Sequence, residues 1–335
     1  MKCLAIAILN WNGQKLLEQF LPSVIRHSSQ LAQIYLIDNA STDDSVTFVK
    51  NTFPEIKIIQ HQKNYGYAKG YNLAIQQIEE PYLCLLNSDV EVTAGWLDRI
   101  VHLFENQNDI AVIQPKILDY QNRDTFEYAG AAGGYIDKYA FPYCRGRIFN
   151  TLEKDKAQYA EQQVFWASGA CFFVRKNIFE EFGGFDEDFF AHQEEVDLCW
   201  RLNNHNHKVY YTPHSTVYHL GGGTLKMQSA YKTFLNFRNS VWMFIKNHPR
   251  NNLFINLFIR LSLDGLAGIF FMIKFKPQHT FAILKAHFWI YVTWSKTWRK
   301  RSKTTSTDYY QIRSIVWKYY LQNRKKYSQL EEHKI

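Results

Sequence analysis

The sequence of 335 residues contains little cysteine and no Cys-x-x-Cys pair. Its five cysteines are scattered, at Cys3, Cys84, Cys144, Cys171 and Cys199. An odd, scattered set argues against a disulfide framework and against a cysteine-based zinc site. The apolar run at residues 4–9 is too short for a signal peptide and lacks a small-residue cleavage site, so we interpret it as a first buried strand. We therefore expect reduced thiols and a cytosolic setting.

Two common nucleotide-binding fingerprints are also missing. The turn after the first predicted strand, NWNGQK at residues 10–15, has one glycine where a dinucleotide-binding Rossmann fold has G-x-G-x-x-G. No segment matches the phosphate-binding pattern G-x-x-x-x-G-K-[ST]. Neither of these two folds is therefore indicated.

The first 295 residues have almost no net charge. The formal net charge of +8 comes from residues 296–335, which contain eleven Lys or Arg and three Asp or Glu. A basic, aromatic tail can contact an anionic membrane surface or nucleic acid. The adjoining apolar stretches favour the membrane, and the main domain has no nucleic-acid motif, so we expect no nucleic-acid partner. A solvated, partly disordered tail is the alternative.

The first third of the chain alternates apolar runs with helical patterns. Runs typical of buried strands lie at residues 4–9, 34–38, 56–60 and 82–86. Patterns typical of helices lie between them, at residues 15–27, 41–50 and 66–78. Ser41 and Thr42 are candidate N-caps of the second helix. This rhythm predicts an α/β fold with a mostly parallel, doubly wound central sheet.

Polar residues end the second and fourth predicted strands, at the edge where open α/β sheets bind their ligands. The fourth strand ends at Asn87-Ser88-Asp89, and the carboxylate of Asp89 is a hard oxygen ligand for a divalent cation. Asp38 ends the second strand and can accept a hydrogen bond from a base or a ribose. Both segments have a structural alternative, since Asn, Ser and Asp also form turns and helix caps.

Eight short segments have an order and spacing that resemble family 2 glycosyltransferases of the GT-A fold. They lie at residues 7–13, 36–45, 64–72, 85–92, 166–176, 182–190, 194–201 and 219–224. The sub-group that they resemble is the bacterial rhamnosyltransferase-like enzymes, which build surface polysaccharide. The resemblance implies inverting transfer of a sugar from a dTDP- or UDP-type nucleotide-sugar donor to a saccharide or lipid-linked saccharide acceptor. A non-catalytic, membrane-associated nucleotide-sugar binding protein is the alternative.

The resemblance also implies a set of nucleotide-binding residues. These are Leu9, Asn10, Asp38, Asn64, Gly66, Gly70, Asn72 and Asn87. Asp38 takes the position that contacts the nucleobase, and Leu9 and Asn10 flank the same base. Glycine in the third helical segment allows a ligand to approach the backbone closely, although turn and packing chemistry is an equal alternative for Gly66.

The family's D-x-D metal motif corresponds to residues 87–89, where Asn87 replaces the first Asp. Asp89 is then the carboxylate that binds Mg²⁺ or Mn²⁺, and the diphosphate of the donor completes the coordination. His219, which precedes Gly221-Gly222-Gly223, resembles the family's late histidine near the metal and diphosphate. Imidazole suits Mn²⁺ as a ligand, and a structural histidine is the alternative.

The segment 194–201 resembles the family's E-D motif, whose second acid removes the proton of the acceptor hydroxyl. That acid corresponds to Glu195, where the family more often has Asp. The acceptor-binding set beside it is Trp166, Ser168, Gly169, Glu194, Asp197 and Arg201. The structural alternatives are helix capping by the acids, helix orientation by Asp197 and Arg201, and a buried Trp166 beside a turn.

Two apolar stretches, at residues 253–274 and 281–294, follow the segments of the resemblance. The first is long enough to span a bilayer, but Arg260 and Asp264 lie near its centre, and charges are costly in lipid. We therefore predict amphipathic helices in the membrane interface rather than spans, and a peripheral or monotopic protein at the cytoplasmic face of the cell membrane. The predicted units are a GT-A domain, a helical membrane-associating extension and a basic aromatic tail, at residues 1–225, 226–295 and 296–335.

Overall fold

The computed structural model describes residues 2–221 and 229–330. Strands and helices alternate through its first 120 residues. They are β1 (Leu4–Asn10), α1 (Gln14–Ser28), β2 (Ala32–Asp38), α2 (Ser45–Thr52), β3 (Lys57–Gln60), α3 (Gly66–Ile75), β4 (Tyr82–Asn87), β5 (Val90–Val92), α4 (Asp98–Asn106) and β6 (Ile110–Asp119). Helix α2 begins later than predicted, because Ser41 Oγ accepts a hydrogen bond from Asn12 N (2.9 Å) and Asp44 is the N-cap residue.

The chain then forms short strands before it returns to the main sheet. The next elements are β7 (Gly134–Ile136), β8 (Pro142–Cys144), β9 (Arg147–Ile148), β10 (Thr151–Leu152), β11 (Gln162–Val164), β12 (Cys171–Arg175), α5 (Lys176–Glu181), a 3₁₀ turn (Glu187–Phe189), α6 (Glu194–Asn203) and β13 (Lys208–His219). The segment 194–201, which resembles the family's E-D motif, lies in α6.

Among the described residues, the central sheet has nine strands in the order β11-β13-β6-β12-β4-β1-β2-β3, with β5 paired to β13. Strands β1 to β4 are parallel, which confirms the sequence prediction, whereas β12 is antiparallel to β4 and β6. The register pairs Asn10 with Asp38 and Leu9 with Asn87, so three strand ends meet at one edge. The short strands β7 to β10 form a separate antiparallel sheet that the sequence pattern does not indicate.

Both faces of the central sheet are covered, because β1 and β4 are apolar along nearly their whole length. Ile6 and Ile8 pack in the cluster that contains α1, whereas Ala5 and Ala7 pack in the cluster that contains α3. The second cluster continues into the carboxyl-terminal helices, for example to Phe244. The helical extension therefore shares a hydrophobic core with one face of the sheet.

Three long helices follow, α7 (Ala230–Asn247), α8 (Leu253–Ile273) and α9 (Pro277–Arg299). In the part of the chain that the structure describes, α8 alone is long and apolar enough to cross a membrane by length and composition. Its two central charges do not face outwards, because Arg260 and Asp264 are buried and Arg260 Nε lies 3.1 Å from Asp264 Oδ1. Arg260 also donates to Tyr139 O (2.9 Å) and to Ser240 Oγ (2.8 Å).

The basic tail packs against the protein rather than extending into solvent. After α9 it contains α10 (Ile315–Tyr320) and a 3₁₀ turn (Tyr327–Gln329). Tyr309 donates to Lys138 O (2.7 Å), Ile315 N donates to Asp137 Oδ2 (2.9 Å), and Tyr327 is buried. The disordered alternative therefore does not hold for the described part of the tail. Boundary residue 225 of the predicted GT-A domain lies outside the described residues.

Candidate active site

The first part of the candidate site is a polar cluster where β1 and β2 end. Asn10 Nδ2 donates to Ser41 Oγ (3.1 Å) and lies 3.5 Å from Asp38 Oδ1. Ser41 N donates to the other carboxylate oxygen of Asp38 (3.2 Å), so the turn alternative for Asp38 is realised. Asp38 is 2% exposed, and Asn10 Oδ1 has no hydrogen-bond partner among the described residues. The cluster therefore holds buried acceptors, which suit a ligand that donates hydrogen bonds.

The glycines of the third helical segment are explained by protein packing. Gly66 has a φ of 76°, and a Cβ there would lie 2.6 Å from the Phe190 ring. A Cβ at Gly70 would lie 3.1 Å from Leu9 Cδ1. These two contacts favour the packing alternative for the glycines over close approach of a ligand. Leu9 itself packs on Gly70.

The two asparagines of the same segment have different surroundings. Asn64 Oδ1 accepts from Gly66 N (2.9 Å) and Asn39 Nδ2 (3.0 Å), which fixes the start of α3. Asn72 is bound through both side-chain atoms to the backbone of Phe185, at 2.8 and 3.0 Å. The amide of Asn72 thus ties α3 to the loop before α6, and the predicted nucleotide contact of this residue stays a prediction.

The second part of the candidate site is an acid–histidine cluster where β4 and β13 end. His219 Nε2 lies 3.1 Å from Asp89 Oδ1, and Asn87 Nδ2 lies 3.5 Å from the same nitrogen. His219 Nδ1 lies 3.3 Å from Glu127 Oε2. Burial lowers the pKa of His219, but the carboxylates of Glu127 and Asp89 together raise it to about 10. The structure therefore brings together Asn87, Asp89 and His219 as predicted. The following residues 222–224 lie outside the described part of the chain.

The donor types of this cluster fit a divalent cation that a ligand helps to coordinate. Asp89 supplies a carboxylate and His219 an imidazole, whereas no group of three His, Cys, Asp or Glu side chains among the described residues is arranged to hold a metal alone. Mg²⁺ in particular is usually held by one or two carboxylates and by phosphate oxygens of a substrate. A metal here would displace the proton shared between His219 and its acids, since an imidazole binds metal in its neutral form.

The third part of the candidate site is the amino-terminal end of α6. The backbone before it is strained, because the non-glycine residues Phe190, His192 and Gln193 have φ values of 63°, 71° and 73°. Glu194 is buried and Glu195 is partly exposed. One carboxylate oxygen of each has no hydrogen-bond partner among the described residues. Each of these two oxygens is therefore open to a further hydrogen bond.

The two acids at this helix end hold protons unusually tightly. Burial raises the pKa of Glu195 to about 7, partly offset by backbone hydrogen bonds that include one to Gly169. Burial and the neighbouring charge of Glu195 raise the pKa of Glu194 further. Of the two acids, Glu195 is therefore the one that loses its proton more readily.

Contacts from α7 and α3 hold the strained segment in place. Asn239 Nδ2 lies 2.8–3.0 Å from the carbonyl oxygens of Phe189, Ala191 and His192. Phe190 O accepts from Tyr67 N (2.8 Å), which joins the segment to α3. The strain before Glu195 is therefore offset by contacts from two distant parts of the chain.

A cluster of buried charged side chains contacts residues on both sides of the same segment. Lys246 Nζ lies 2.6 Å from Asp186 Oδ2 and 2.9 Å from Asp197 Oδ2. Lys300, directly after α9, also contributes, because its Nζ lies 2.6 Å from both Asp186 and Asp188. These lysines lower the pKa of Asp186 far below its usual range, although burial opposes them.

Two members of the predicted acceptor set serve this cluster instead. Asp197 is fully buried and also accepts from Arg201 Nε (3.0 Å) and Asn247 Nδ2 (2.8 Å). Arg201 donates its remaining groups to the carbonyl oxygens of Phe182 and Gly184, at 2.5 and 2.7 Å. The contacts therefore support the alternative in which Asp197 and Arg201 orient α6.

The loop before β12 gives a similar correction. Trp166 is 3% exposed, and its Nε1 donates to Tyr135 O (2.9 Å), so the indole has no free face for a sugar ring. Ser168 is also buried and accepts from Ala170 N (3.1 Å). Gly169 is different, because its carbonyl accepts from Tyr67 Oη (2.7 Å) and a Cβ there would lie 3.8 Å from Glu195 Cδ. Of these three residues, Gly169 is the one that lies beside the candidate base.

Sequence reasoning missed Glu127 and Lys246. Glu127 lies between β6 and β7 in a segment without a recognisable motif, and only the fold brings it to His219. Lys246 lies in α7, where a lysine in the last turn resembles an ordinary exposed helix end. The apolar run WMFI directly before the lysine was the available signal that this side chain is buried.

Comparison with known proteins places this geometry in a family. The sequence model of glycosyl transferase family 2 matches residues 5–183, more than half of the chain. N-acetylglucosaminyl-diphospho-decaprenol L-rhamnosyltransferase of Mycobacterium tuberculosis is 25% identical over 61% of this chain and 71% of its own. Rhamnosyltransferase WbbL of Escherichia coli K12 is 22% identical over 53% of this chain and 74% of its own.

The fold has solved counterparts too. The crystal structure of GalNAc-T7 with UDP, GalNAc and Mn²⁺ superposes with a TM-score of 0.58 at 18% identity. The match covers 75% of this chain and about half (49%) of that one. Matches of this kind and the mostly parallel sheet identify the GT-A fold, which confirms the expectation from sequence. The chain belongs to glycosyl transferase family 2 and resembles its rhamnosyltransferases.

Proposed function

We propose that this protein transfers a sugar, with rhamnose as the first candidate, from a nucleotide diphosphate sugar to a saccharide acceptor. The proposal rests on Glu195. Its carboxylate is partly exposed, has a pKa of about 7, and has one oxygen without a hydrogen-bond partner among the described residues. A group with such a pKa is suited to general base catalysis near neutral pH. The two rhamnosyltransferase relatives support the choice of sugar.

In the proposed reaction, the acceptor hydroxyl gives its proton to the Glu195 carboxylate. The hydroxyl oxygen forms a bond to the anomeric carbon of the donor sugar. The bond from that carbon to the diphosphate oxygen breaks on the opposite face, and its electron pair leaves with the nucleoside diphosphate. A single displacement of this kind inverts the configuration of the sugar. Glu194, whose pKa is raised by burial and by the neighbouring charge of Glu195, would contact the acceptor beside the base.

The donor is proposed to lie at the carboxyl edge of the sheet. Asp38 and Asn10 would contact the nucleobase, since their buried polar atoms lie where β1 and β2 end. Asp89 and His219 would hold Mg²⁺ or Mn²⁺, as their donor types allow. A bound cation would neutralise the charge that develops on the departing diphosphate. The Mn²⁺ and UDP in the GalNAc-T7 crystal structure support this assignment.

We further propose that the acceptor is lipid-linked and that the protein works as a peripheral protein at the cytoplasmic face of the cell membrane. The name of the mycobacterial relative includes a decaprenol-linked diphosphate sugar, which supports the acceptor class. The exposed apolar side chains of α8 and α9 support the location. An acceptor held in a bilayer would need the base at Glu195 to lie near the lipid surface.

Thermal shift measurements with UDP, dTDP and GDP, each with and without Mn²⁺, test the donor assignment. A ligand that binds only the folded protein raises its melting temperature. Asp89→Asn should remove the metal-dependent part of the shift, and Asp38→Ala should weaken the shift of the preferred nucleotide. Asp124→Asn is the matched control, because this acid is exposed and paired with Lys154. If no nucleotide shifts the folded wild-type protein, the proposal fails.

A further inference from the structure

The outward side of the α8–α9 helical hairpin is strongly apolar. Phe258 is 71% exposed, Phe288 is 65% exposed, and Phe275 in the connecting turn is 93% exposed. Leu266, Ile273 and Phe281 continue the same surface. We call these six side chains the hairpin face. Contiguous exposed apolar surface of this extent marks an interaction site on a soluble domain rather than ordinary surface.

The charges around the hairpin face have one sign. Residues 253–299 contain a single acid, Asp264, and it is fully buried against Arg260. Lys274 and Lys276 flank Phe275 at the turn, and Lys285 lies exposed on α9. The surface around the apolar side chains is therefore basic. Helices α8 and α9 contribute no exposed acid that would offset its positive charge.

We infer that the hairpin face docks on the surface of an anionic lipid bilayer, with Phe275 inserted among the headgroups. Apolar side chains with basic residues at their edge are the composition that binds such an interface. Trp289 and Tyr291, both exposed beside Phe288, have the amphipathic rings that favour this depth. A second copy of the chain fits less well, because a symmetric contact would bring lysines of the same sign together. The inference rests on the proposed function in one respect: a lipid-linked acceptor would explain why the protein works near a bilayer.

The contacts of α8 favour docking over spanning. Leu253 and Leu257 are buried with Arg260 along one side of the helix. Withdrawing α8 into a bilayer would break the bonds from Arg260 to Tyr139 O and to Ser240 Oγ and would leave a charge pair in lipid. The hairpin therefore keeps its inner side on the domain and presents only its outer side to lipid.

Docking in this way would bring the acceptor side of the site close to the bilayer. The carboxyl-terminal end of α9 contacts the segment before α6, where Lys296 Nζ lies 2.6 Å from Asp188 Oδ1 and Lys300 Nζ lies 2.6 Å from Asp186 Oδ1. One helix thus carries both lipid-facing side chains and contacts to the segment that places Glu195.

Vesicle co-sedimentation tests the inference with full-length protein. The probes are vesicles of phosphatidylglycerol and phosphatidylcholine, and vesicles of phosphatidylcholine alone. We expect binding to the anionic vesicles, and a loss of about tenfold or more in Phe258→Asp/Phe275→Asp and in Lys274→Glu/Lys276→Glu. Leu31→Asp is the control, because Leu31 is an exposed leucine outside the hairpin. On binding, the emission of exposed Trp289 should move to shorter wavelength, a change that Trp289→Phe removes.

The outcomes are separable from those of the proposed function. Each variant should keep the nucleotide-dependent thermal shift of the wild type, which shows that it is folded and that the donor site is independent of lipid. Equal vesicle binding by wild type and the double aspartate variant would overturn the inference. A dimer in solution that the same variant dissociates, without any vesicle binding, would assign the face to a second copy instead. Lipid binding without any nucleotide shift would contradict the proposed function alone.

Discussion

The proposed donor half of the candidate site, at Asp38, Asn87 and Asp89, and its proposed acceptor half, at Glu194 and Glu195, are built in different ways. In the proposed donor half, Asp38 and Asn87 end the two strands that flank β1, and Asp89 follows Asn87, so the sheet register brings these positions to one edge. In the proposed acceptor half, Glu195 follows a strained segment, and the distant helix α7 holds this region through Asn239 and Lys246. The first arrangement needs only local patterns, whereas the second needs the whole fold.

This difference predicts that the two halves fail separately. Changes in α7 or α9 should affect the placement of Glu195 and the stability of the protein while leaving nucleotide binding in place. Changes at the strand ends should have the opposite effect. Each of the following predictions tests one side of this comparison.

The largest effect is expected on stability, from Lys246→Met. This change leaves Asp186 and Asp197 without their shared buried partner, and breaking a buried ion pair costs about 3–5 kcal/mol. Urea denaturation should show this loss, and transfer should fall more than nucleotide binding. Lys69→Met is the control, because its pair with Glu187 is exposed and should contribute at most about 1 kcal/mol. Similar losses in the two variants would contradict the role of the buried cluster.

The next effect is on the pH dependence of transfer. Glu195 is active as a base only when ionised, so with a pKa of about 7 its activity is present above that pH and is lost as the pH falls. The value of kcat/KM should decrease by about tenfold per pH unit below the pKa, or about 100-fold at pH 5. Nucleotide binding, measured at the same pH values, is the control. A flat rate profile between pH 5 and 8 would exclude Glu195 as the base.

Glu127 should matter for metal binding rather than for the fold. Its carboxylate lies 3.3 Å from His219 Nδ1 and so orients the imidazole whose other nitrogen faces Asp89. Loss of such an outer partner typically weakens metal affinity by about 10–100-fold. Calorimetric titration of Mn²⁺ with nucleoside diphosphate present should show this for Glu127→Ala. Glu127→Gln, which can still accept from Nδ1, should lose less, and equal affinity in all three proteins would refute the role.

The smallest effect is expected from Trp166→Phe. The change removes the hydrogen bond from the indole to Tyr135 O, which contributes about 1 kcal/mol to stability. Because Trp166 is buried, the KM for the acceptor should stay unchanged. A raised acceptor KM in a variant of nearly normal stability would instead support the predicted contact between Trp166 and the acceptor.

Sequence reasoning succeeded where chemistry lies next to a strong local pattern. The apolar runs of β1, β2 and β4 and the polar residues that end them predict both the sheet and its ligand edge. The acidic start of α6 follows from the same kind of pattern. These features depend on neighbours in sequence, so one sequence is enough to find them.

The rest depends on contacts between residues far apart in the chain. Asp197 resembles a site acid until its bonds to Lys246 and Asn247 are known, some 50 residues away. Asn72 resembles a ligand contact until its pairing with Phe185 is known. Arg260 and Asp264 argue against a membrane span, but only the structure shows that they face the domain as a buried ion pair. In each case the residue type was informative, but only the fold shows which side it faces.

The most direct test of the central claim compares Glu195→Gln with wild type in donor binding and in single-turnover transfer. We expect the variant to bind the preferred nucleotide-sugar nearly as well as wild type, since the proposed donor half is intact. We expect transfer to fall by about 10²–10⁴-fold, because the amide cannot accept the proton of the hydroxyl. Glu194→Gln is the matched control, with the smaller loss expected of an acceptor contact. Normal turnover by Glu195→Gln would contradict the account and would move the base to another acid.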